Sequence, residues 1–453
     1  MKTITKKLCI GTNDMELYVD ASIDGKKILD KKSDSLVGQF AKILYGCMQP
    51  TAMAFHRHIE TVSAVSITNN GGLIQVVVPS GYYPNNSDTV VIGGALGCTE
   101  ANGTWAITIV GGYTFTLNGS TFTHTYTGGA VVGFFKTDNL VPTAQCFNNA
   151  GMQVGTGSTP VTISDFNLAI PIVNGSSIGQ LTYNTYTTSQ DTNDSTSAQV
   201  TMTQTFTNNS VGDVGVNEIG LFMSFDYISY GWYNTLVARD IVAGGINVAS
   251  GKTLTINYRI KTILATTGDT GGFVASFMRL LYSQISQTTR SLYDITNTSI
   301  TTSYSAVNFL VSSSGGPGIT TRYNSLNTLK NENLGIQVGS GSNAVSMGDY
   351  ALQSKIPHGL SIGQLLYHGT FLDDYTEADP TATFTINGIF ENQSGGDVTI
   401  NEIGVYAGAA EQSISVIDVP AYAACIIHNK LATPITLPTN KILKVVYTIE
   451  VIA

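Results

Sequence analysis

A mainly-β fold is predicted for this chain: tandem β-sandwich-like modules, each preceded by a short amphipathic helix, plus a small inserted β-barrel. Three observations predict it. Of 453 residues only 12% are charged and 42% are hydrophobic, with 47 Gly and 22 Tyr, a composition that suits strands with hydroxyl-bearing outer faces. Apolar residues alternate with a period of two in many short segments, the mark of half-buried strands. A long internal repeat then fixes the organisation, because self-similarity at a fixed offset marks a folding unit used more than once.

The repeat is clearest in "GDVGVNEIGLF" (212–222) and "GDVTINEIGVY" (396–406), 184 residues apart. At the same offset, "GMQVGTGSTPVTISDFNLAIPIVNGSSIGQLTY" (151–183) lies over "GIQVGSGSNAVSMGDYALQSKIPHGLSIGQLLY" (335–367) without a gap. In "VTMTQTF" and "FTINGIF", Val200, Met202 and Phe206 should face the way that Phe384, Ile386 and Phe390 do. The offset grows to 189 at "KTLTINYRI" (252–260) and "KILKVVYTI" (441–449). There Leu254, Ile256, Tyr258 and Ile260 line one face, as do Leu443, Val445, Tyr447 and Ile449. Two copies of one all-β module follow, at 141–265 and 325–453.

Before each module, "SLVGQFAKILYG" (35–46) resembles "GFVASFMRLLYS" (272–283), and Leu36, Val37, Phe40, Ile43 and Leu44 have helical spacing. Each is expected to be a short amphipathic helix, the first within an N-terminal segment (1–66), the second within a linker (266–324). Here the offset is 237, which is 53 more than downstream, so the first unit must hold an insert of about that length. Residues 67–140 supply it, with the compact part running from Ser80 to Phe134. Gly111-Gly112 reads as a two-residue hairpin turn, and Trp105, Ile107 and Ile109 should meet Phe115 and Leu117 in a small core.

The formal net charge is −9 and Lys pairs occur only locally, at 6–7, 26–27 and 31–32, which argues against nucleic-acid binding. Five cysteines, odd in number and without a C-x-x-C pair, favour reduced, buried thiols and synthesis in a reducing cytoplasm. The N-terminus lacks the apolar stretch of a signal peptide, and no run is long enough to span a membrane as a helix.

No motif supplies a catalytic or cofactor site, so neither enzyme activity nor a cofactor is expected. In "NEIG", regular pleating would put Val216, Glu218 and Phe222 on one face and Ile219 and Leu221 on the other. A glutamate beside Val and Phe needs a bulge or a partner, and Gly220 and Gly404 fit a bulge or a close backbone approach. Glu218 and Glu402 are expected to bind loop amides within their modules. "VGTGS" (154–158) and "VGSGS" (338–342) lack the Lys and helix of a phosphate loop and read as turns. His56 and His58 are too few for a zinc site, with His124, His358, His368 and His428 scattered. The oxygen-rich loops "SQDTNDSTS" (189–197) and "LDDYTEAD" (372–379) share no ligand spacing, and solvated loops are expected rather than calcium sites. The run "FDYISYGWY" (225–233) has no counterpart in "AGAAEQSISV" (407–416). Tyr227, Tyr230, Trp232 and Tyr233 are therefore the candidate partner or glycan contact, with core packing as the alternative.

With "ANGTW" and "TFTLNGS", the insert is similar to a small β-domain of bacteriophage virion proteins and ubiquitin-activating enzymes. The repeated glycine-rich and "NEIG" patterns likewise resemble modules of phage tail, fibre and head-fibre proteins. The resemblance implies a structural protein of a phage particle, assembled in the host bacterial cytoplasm by contacts with itself and with other virion proteins. A carbohydrate-binding adhesin that takes a host-surface glycan, or a head-fibre or capsid decoration protein, is the alternative. Membrane insertion is not expected.

Overall fold

A computed structural model describes residues 1–33, 35–48, 53–80, 83–86, 88–140, 151–192, 194–227, 231–286, 290–302, 321–322, 334–373, 375–409 and 422–453. Among these residues the chain is mainly β, with two α-helices.

The chain opens with β1 (Lys2–Ile10), β2 (Met15–Ile23) and β3 (Lys26–Ser33). Helix α1 (Gly38–Met48) begins three residues later than expected, because Leu36 is extended and bridges Ala238. After β4 (Met53–Ser63) come β5 (Ser66–Asn70), β6 (Leu73–Val77), β7 (Thr89–Gly93), β8 (Gly103–Gly111), β9 (Thr114–Leu117) and β10 (Val131–Leu140). β4 and β10 pair as a two-stranded arm. Beyond it the ladder β10-β7-β8-β9-β6-β5 curls round a separate core that includes Ile74, Val90, Ile107, Phe115, Leu117 and Phe134. Trp105 and Ile109 pack on that core, and the Trp105 indole donates to the Ala101 carbonyl at 2.8 Å. The hairpin turn falls on Gly112 and Tyr113, one residue later than expected, because a bulge between Ile109 and Gly111 shifts the register.

The first module comprises β11 (Gly151–Gly155), β12 (Thr182–Tyr183), β13 (Thr187–Thr192), β14 (Ser197–Thr207), β15 (Val214–Tyr227), β16 (Gly231–Val248) and β17 (Thr253–Ile263). β18 (Thr270–Phe273) leads into α2 (Ala275–Ser286), again three residues later than expected because Phe273 is held extended on Ile427. β19 (Arg290–Tyr293), β20 (Ser299–Thr302) and β21 (Thr321–Arg322) precede the second module. That module comprises β22 (Gly335–Gly339), β23 (Leu366–Leu372), β24 (Thr376–Ala378), β25 (Thr381–Asn392), β26 (Val398–Ala409), β27 (Tyr422–Leu437) and β28 (Lys441–Ile452).

In each module two sheets enclose apolar side chains. One face carries β14 and β17, or β25 and β28; the other carries β11, β15 and β16, or β22, β26 and β27. Val200, Met202, Phe206, Leu254, Ile256, Tyr258 and Ile260 are buried, as are their counterparts in the second module. This is the alternation read from the sequence, and it results from one face of each strand being removed from water.

The two modules are spliced by the N-terminus. β2 lies antiparallel on β17, from Leu254↔Ile23 to Thr262↔Met15. β1 lies parallel along β28, from Lys2↔Leu443 to Ile10↔Val451. One continuous sheet results, in the order β12-β14-β17-β2-β1-β28-β25-β23-β21. The helices cross the same seam: α1 packs on β16 and on β25 of the other module, while α2 packs on β27 and on β14. Tyr45 of α1 stacks edge-on against Phe384, with ring centres 5.4 Å apart, and Tyr282 of α2 donates to the Thr188 carbonyl at 3.4 Å.

Loop contacts are also reciprocal. The Gly38 amide donates to the Ile163 carbonyl at 2.7 Å, and the Ala275 amide to the Met347 carbonyl at 2.9 Å. The Ile163 amide donates to Asp379 across the seam at 3.0 Å, and the Met347 amide to the Ser195 carbonyl at 2.8 Å. The modules thus meet as the two halves of a pseudo-two-fold pair, with β1 and β2 added to opposite sides.

The β1–β2 connection depends on Gly11, whose φ is +105° and whose added Cβ would lie 3.0 Å from the Ile452 carbonyl oxygen. Gly25 has φ +81° and open space around it. Both Gly→Ala changes should incur a left-handed penalty of about 1 kcal/mol, and Gly11→Ala should cost more because β28 is in the way. Urea midpoints of the two variants measure the difference; equal midpoints would mean that β1 can withdraw from β28 without loss.

Candidate functional site

The "NEIG" strands carry a fully buried carboxylate in each module. In β15, bulges between Val216 and Glu218 and between Leu221 and Phe222 interrupt the pairing with β16, and β26 has them at the equivalent positions. The first bulge corrects the regular-pleat expectation. Val216 joins Ile219 and Leu221 in the central core, while Phe222 packs on the other side with Val37 and Leu236. Glu218 is left pointing away from the central core toward a loop.

That loop surrounds the carboxylate with donors. Glu218 Oε1 accepts the amides of Gly157 at 3.0 Å and Ile170 at 2.8 Å, and Oε2 accepts that of Ala169 at 3.0 Å. Arg239 of β16 donates Nε to Oε2 at 2.9 Å and Nη1 to Asp165 at 2.8 Å, and its Nη2 reaches the Thr159 carbonyl and hydroxyl. Asp165 in turn accepts the Thr162 hydroxyl at 2.8 Å. A buried carboxylate is tolerated when charge-assisted hydrogen bonds replace its water, and a guanidinium fork can serve two carboxylates at once.

The second module repeats the cradle with a different cation. Glu402 accepts the amides of Gly341, Gln353 and Ser354 at 3.0, 3.1 and 2.8 Å. In place of Arg239 stands His428, with Nε2 2.9 Å from Glu402 and Nδ1 2.8 Å from Asp349. Burial disfavours charge on the imidazole, but the hydrogen bonds it donates to both carboxylates, and their negative charge, outweigh it and raise the His428 pKa above the ordinary value. Burial would likewise raise the Glu402 carboxyl, yet His428 and the loop amides hold it below the usual range.

These cradles explain the glycine motifs. A Cβ on Gly155 or Gly157 would lie 2.5 or 2.4 Å from Glu218 Oε1, and one on Gly339 or Gly341 would lie 2.4 or 2.5 Å from Glu402 Oε1. "VGxGS" is therefore glycine-rich because a carboxylate approaches its backbone. The same loop also approaches the insert closely: a Cβ on Gly93 of β7 would come within 2.5 Å of the Ala169 carbonyl oxygen.

A second buried polar site lies between the sheets. The Tyr258 hydroxyl donates to Asp240 at 2.8 Å, and Asp240 also meets the Ser33 hydroxyl at 2.8 Å and Lys31 Nζ at 2.7 Å. In the second module the Tyr447 hydroxyl donates to Asn429 at 3.0 Å. The first module thus has an aspartate beside a lysine of β3 where the second has an asparagine.

The other candidates have architectural roles or fall outside the described side chains. In 372–379, Asp373 accepts from Thr385 and Asn387, Glu377 pairs with Lys42, and Asp379 accepts the Ile163 amide. In 189–197, the Thr196 hydroxyl and amide hold the Asp194 carboxyl down at about 2. Among the described residues no three potential metal ligands are grouped. His56 and His58 lie on β4, but their side chains are outside the described residues. Tyr227, Trp232 and Tyr233 lie at the end of the β15–β16 hairpin, where Tyr227 pairs with Gly231 and Phe225 with Tyr233. Tyr230 and the other three side chains are outside the described residues. Cys98 and Cys425 are buried free thiols and Cys9 is half-buried. No described helix is long and apolar enough to cross a membrane.

No protein-family model, curated protein or solved structure matches the chain.

Replacing Glu218 by Ala should cost about 3–5 kcal/mol, because it leaves Arg239 half-paired in the interior and three amides without an acceptor. Gly157→Ala should cost about 1–3 kcal/mol through overpacking against the same carboxylate. Urea unfolding measures both. A Glu218→Ala protein as stable as the parent would show that water replaces the carboxylate.

Proposed function

We propose that this chain is a structural component of a bacteriophage particle, of the tail, collar or fibre type, acting through subunit assembly. The reciprocal meeting of its two modules carries the reading. A chain that presents nearly the same module twice about a pseudo-two-fold axis offers neighbouring subunits two related surfaces, a geometry suited to rings and fibres. The buried Glu218, Arg239, Glu402 and His428 hold loops onto strands, as suits a scaffold. The low charge of the sequence favours surfaces that end up covered by partners. The resemblance of the insert and of the repeated motifs to phage virion modules points the same way.

One feature favours a second reading, a host-glycan contact. β15 continues past its pairing with β11, which ends at Phe222, and the extension carries Tyr227, Trp232 and Tyr233 to a hairpin end. The second module has no such aromatic run in sequence.

Antibody raised against the chain should label purified phage particles by immunogold electron microscopy, at the tail, the collar or the fibres. Label confined to the head would select the decoration alternative, and absence of label from all particles would overturn the proposal. The glycan reading predicts binding on a glycan array that is lost in the Trp232→Ala, Tyr233→Ala double variant; binding unchanged by that variant would remove it.

A further inference from the structure

The two cradles differ in one respect that bears on conditions. The first is closed by an arginine, a side chain that keeps its charge at any pH a protein meets, and the second by a histidine, which ordinarily titrates near neutrality. His428 has a carboxylate at hydrogen-bond distance from each ring nitrogen, 2.9 Å to Glu402 and 2.8 Å to Asp349. Satisfying both needs two N–H donors, which only the imidazolium has. Removing the proton leaves a ring nitrogen lone pair against a carboxylate, and two negative charges with no cation between them.

The loop held there is also part of the seam. Glu402 binds the amides of Gly341, Gln353 and Ser354, and Asp349 caps the Ser346 amide at 3.0 Å. Between these anchors, Met347 receives the Ala275 amide at the start of α2 and donates to Ser195 of the first module. We infer that the second module carries an alkaline-sensitive latch: when His428 loses its proton, the 341–356 loop and its contact with α2 and the first module loosen, while the first module stays closed on Arg239.

Other titratable groups lie on the neighbouring elements. On β27, Cys425 is pushed well above the usual thiol range by burial and by Asp349 and Glu402, and Lys430 pairs opposite Glu402 in the ladder. On β26, the Tyr406 hydroxyl accepts the Leu352 amide, and burial raises its phenol. On β23 and β28, the Tyr367 and Tyr447 hydroxyls donate to the Ile356 carbonyl and to Asn429. On α2, Arg279 lies over Tyr293; beside β18, Asp269 pairs with Lys6.

Because the folded pKa of His428 is raised, its contribution is complete below the free value of 6.5 and is lost as pH climbs through the higher folded value. Glu402 sets the acid limit: its pKa is lowered, so its contribution is present above the free value of 4.5 and is lost as pH falls through the folded one.

Hydrogen–deuterium exchange on the full chain, corrected for intrinsic rates, tests the latch by comparing amides of 341–356 with the equivalent 157–172. As pH is raised from about 6 into the alkaline range, the ratio of their protection should fall severalfold as His428 gives up its proton. In His428→Gln the ratio should be low and no longer depend on pH. A constant ratio in the unmodified chain overturns the inference, as does an unchanged pH dependence in His428→Gln. The first comparison uses the natural chain alone, so it decides even if the variant does not fold.

Discussion

An ionised carboxylate taken out of water costs several kcal/mol unless donors and a counter-charge replace its hydration. Each module of this protein has accepted that constraint at Glu218 or Glu402, and much of its local structure is arranged around it. A bulge turns the glutamate away from the central core, and a loop returns to present three amides. Glycines remove the Cβ atoms that would block the approach. A cation from the neighbouring strand closes the ring and passes the connection on to Asp165 or Asp349. Strand, turn and loop are thereby held in one relative position that apolar packing alone would leave open to sliding.

The joint between the modules depends on the same clamp. The loop clamped by the carboxylate also carries Ile163 or Met347, whose backbone meets the opposite module and the helix entering its own. Internal order in one module therefore shapes the surface that the other module meets. The N-terminal strands add a further dependence, because Lys31 and Ser33 of β3 supply partners to the buried Asp240 of the first module.

Much of the fold was legible in the sequence. Alternation placed Leu254 through Ile260 and Leu443 through Ile449 on buried faces, since strand periodicity depends only on neighbours two residues apart. A glutamate set among Val and Phe also pointed to loop amides as its partners. What stayed hidden depends on distant contacts. Nothing local says that Lys2–Ile10 joins the last strand of the chain, or that Leu36 and Phe273 are drawn out of their helices by bridges to Ala238 and Ile427. The bulge at Asn217 moved Val216 to the opposite face from the one regular pleating gives it. His428 looked like one scattered histidine among six, although the 189-residue offset lays "CIIHNK" over "LVARDI" and so places it on Arg239. That alignment was the available signal; the chemistry of the exchange became readable only once Asp349 and Glu402 were seen on either side of the ring.

Fusion of the two halves has a consequence for inheritance. In a dimer of identical chains every altered residue appears twice, so an insertion tolerated at one subunit must be tolerated at both. Here the β4–β10 arm carries a whole extra folding unit with its own core, while α2 leads into a short β19–β20 hairpin closed by Asp294, which accepts the Thr296 and Thr298 amides. The arginine and histidine cradles likewise differ on one side only. Covalent linkage leaves each side of the interlocked pair free to vary alone: one carries the insert and the other, among the described residues, the β19–β20 hairpin.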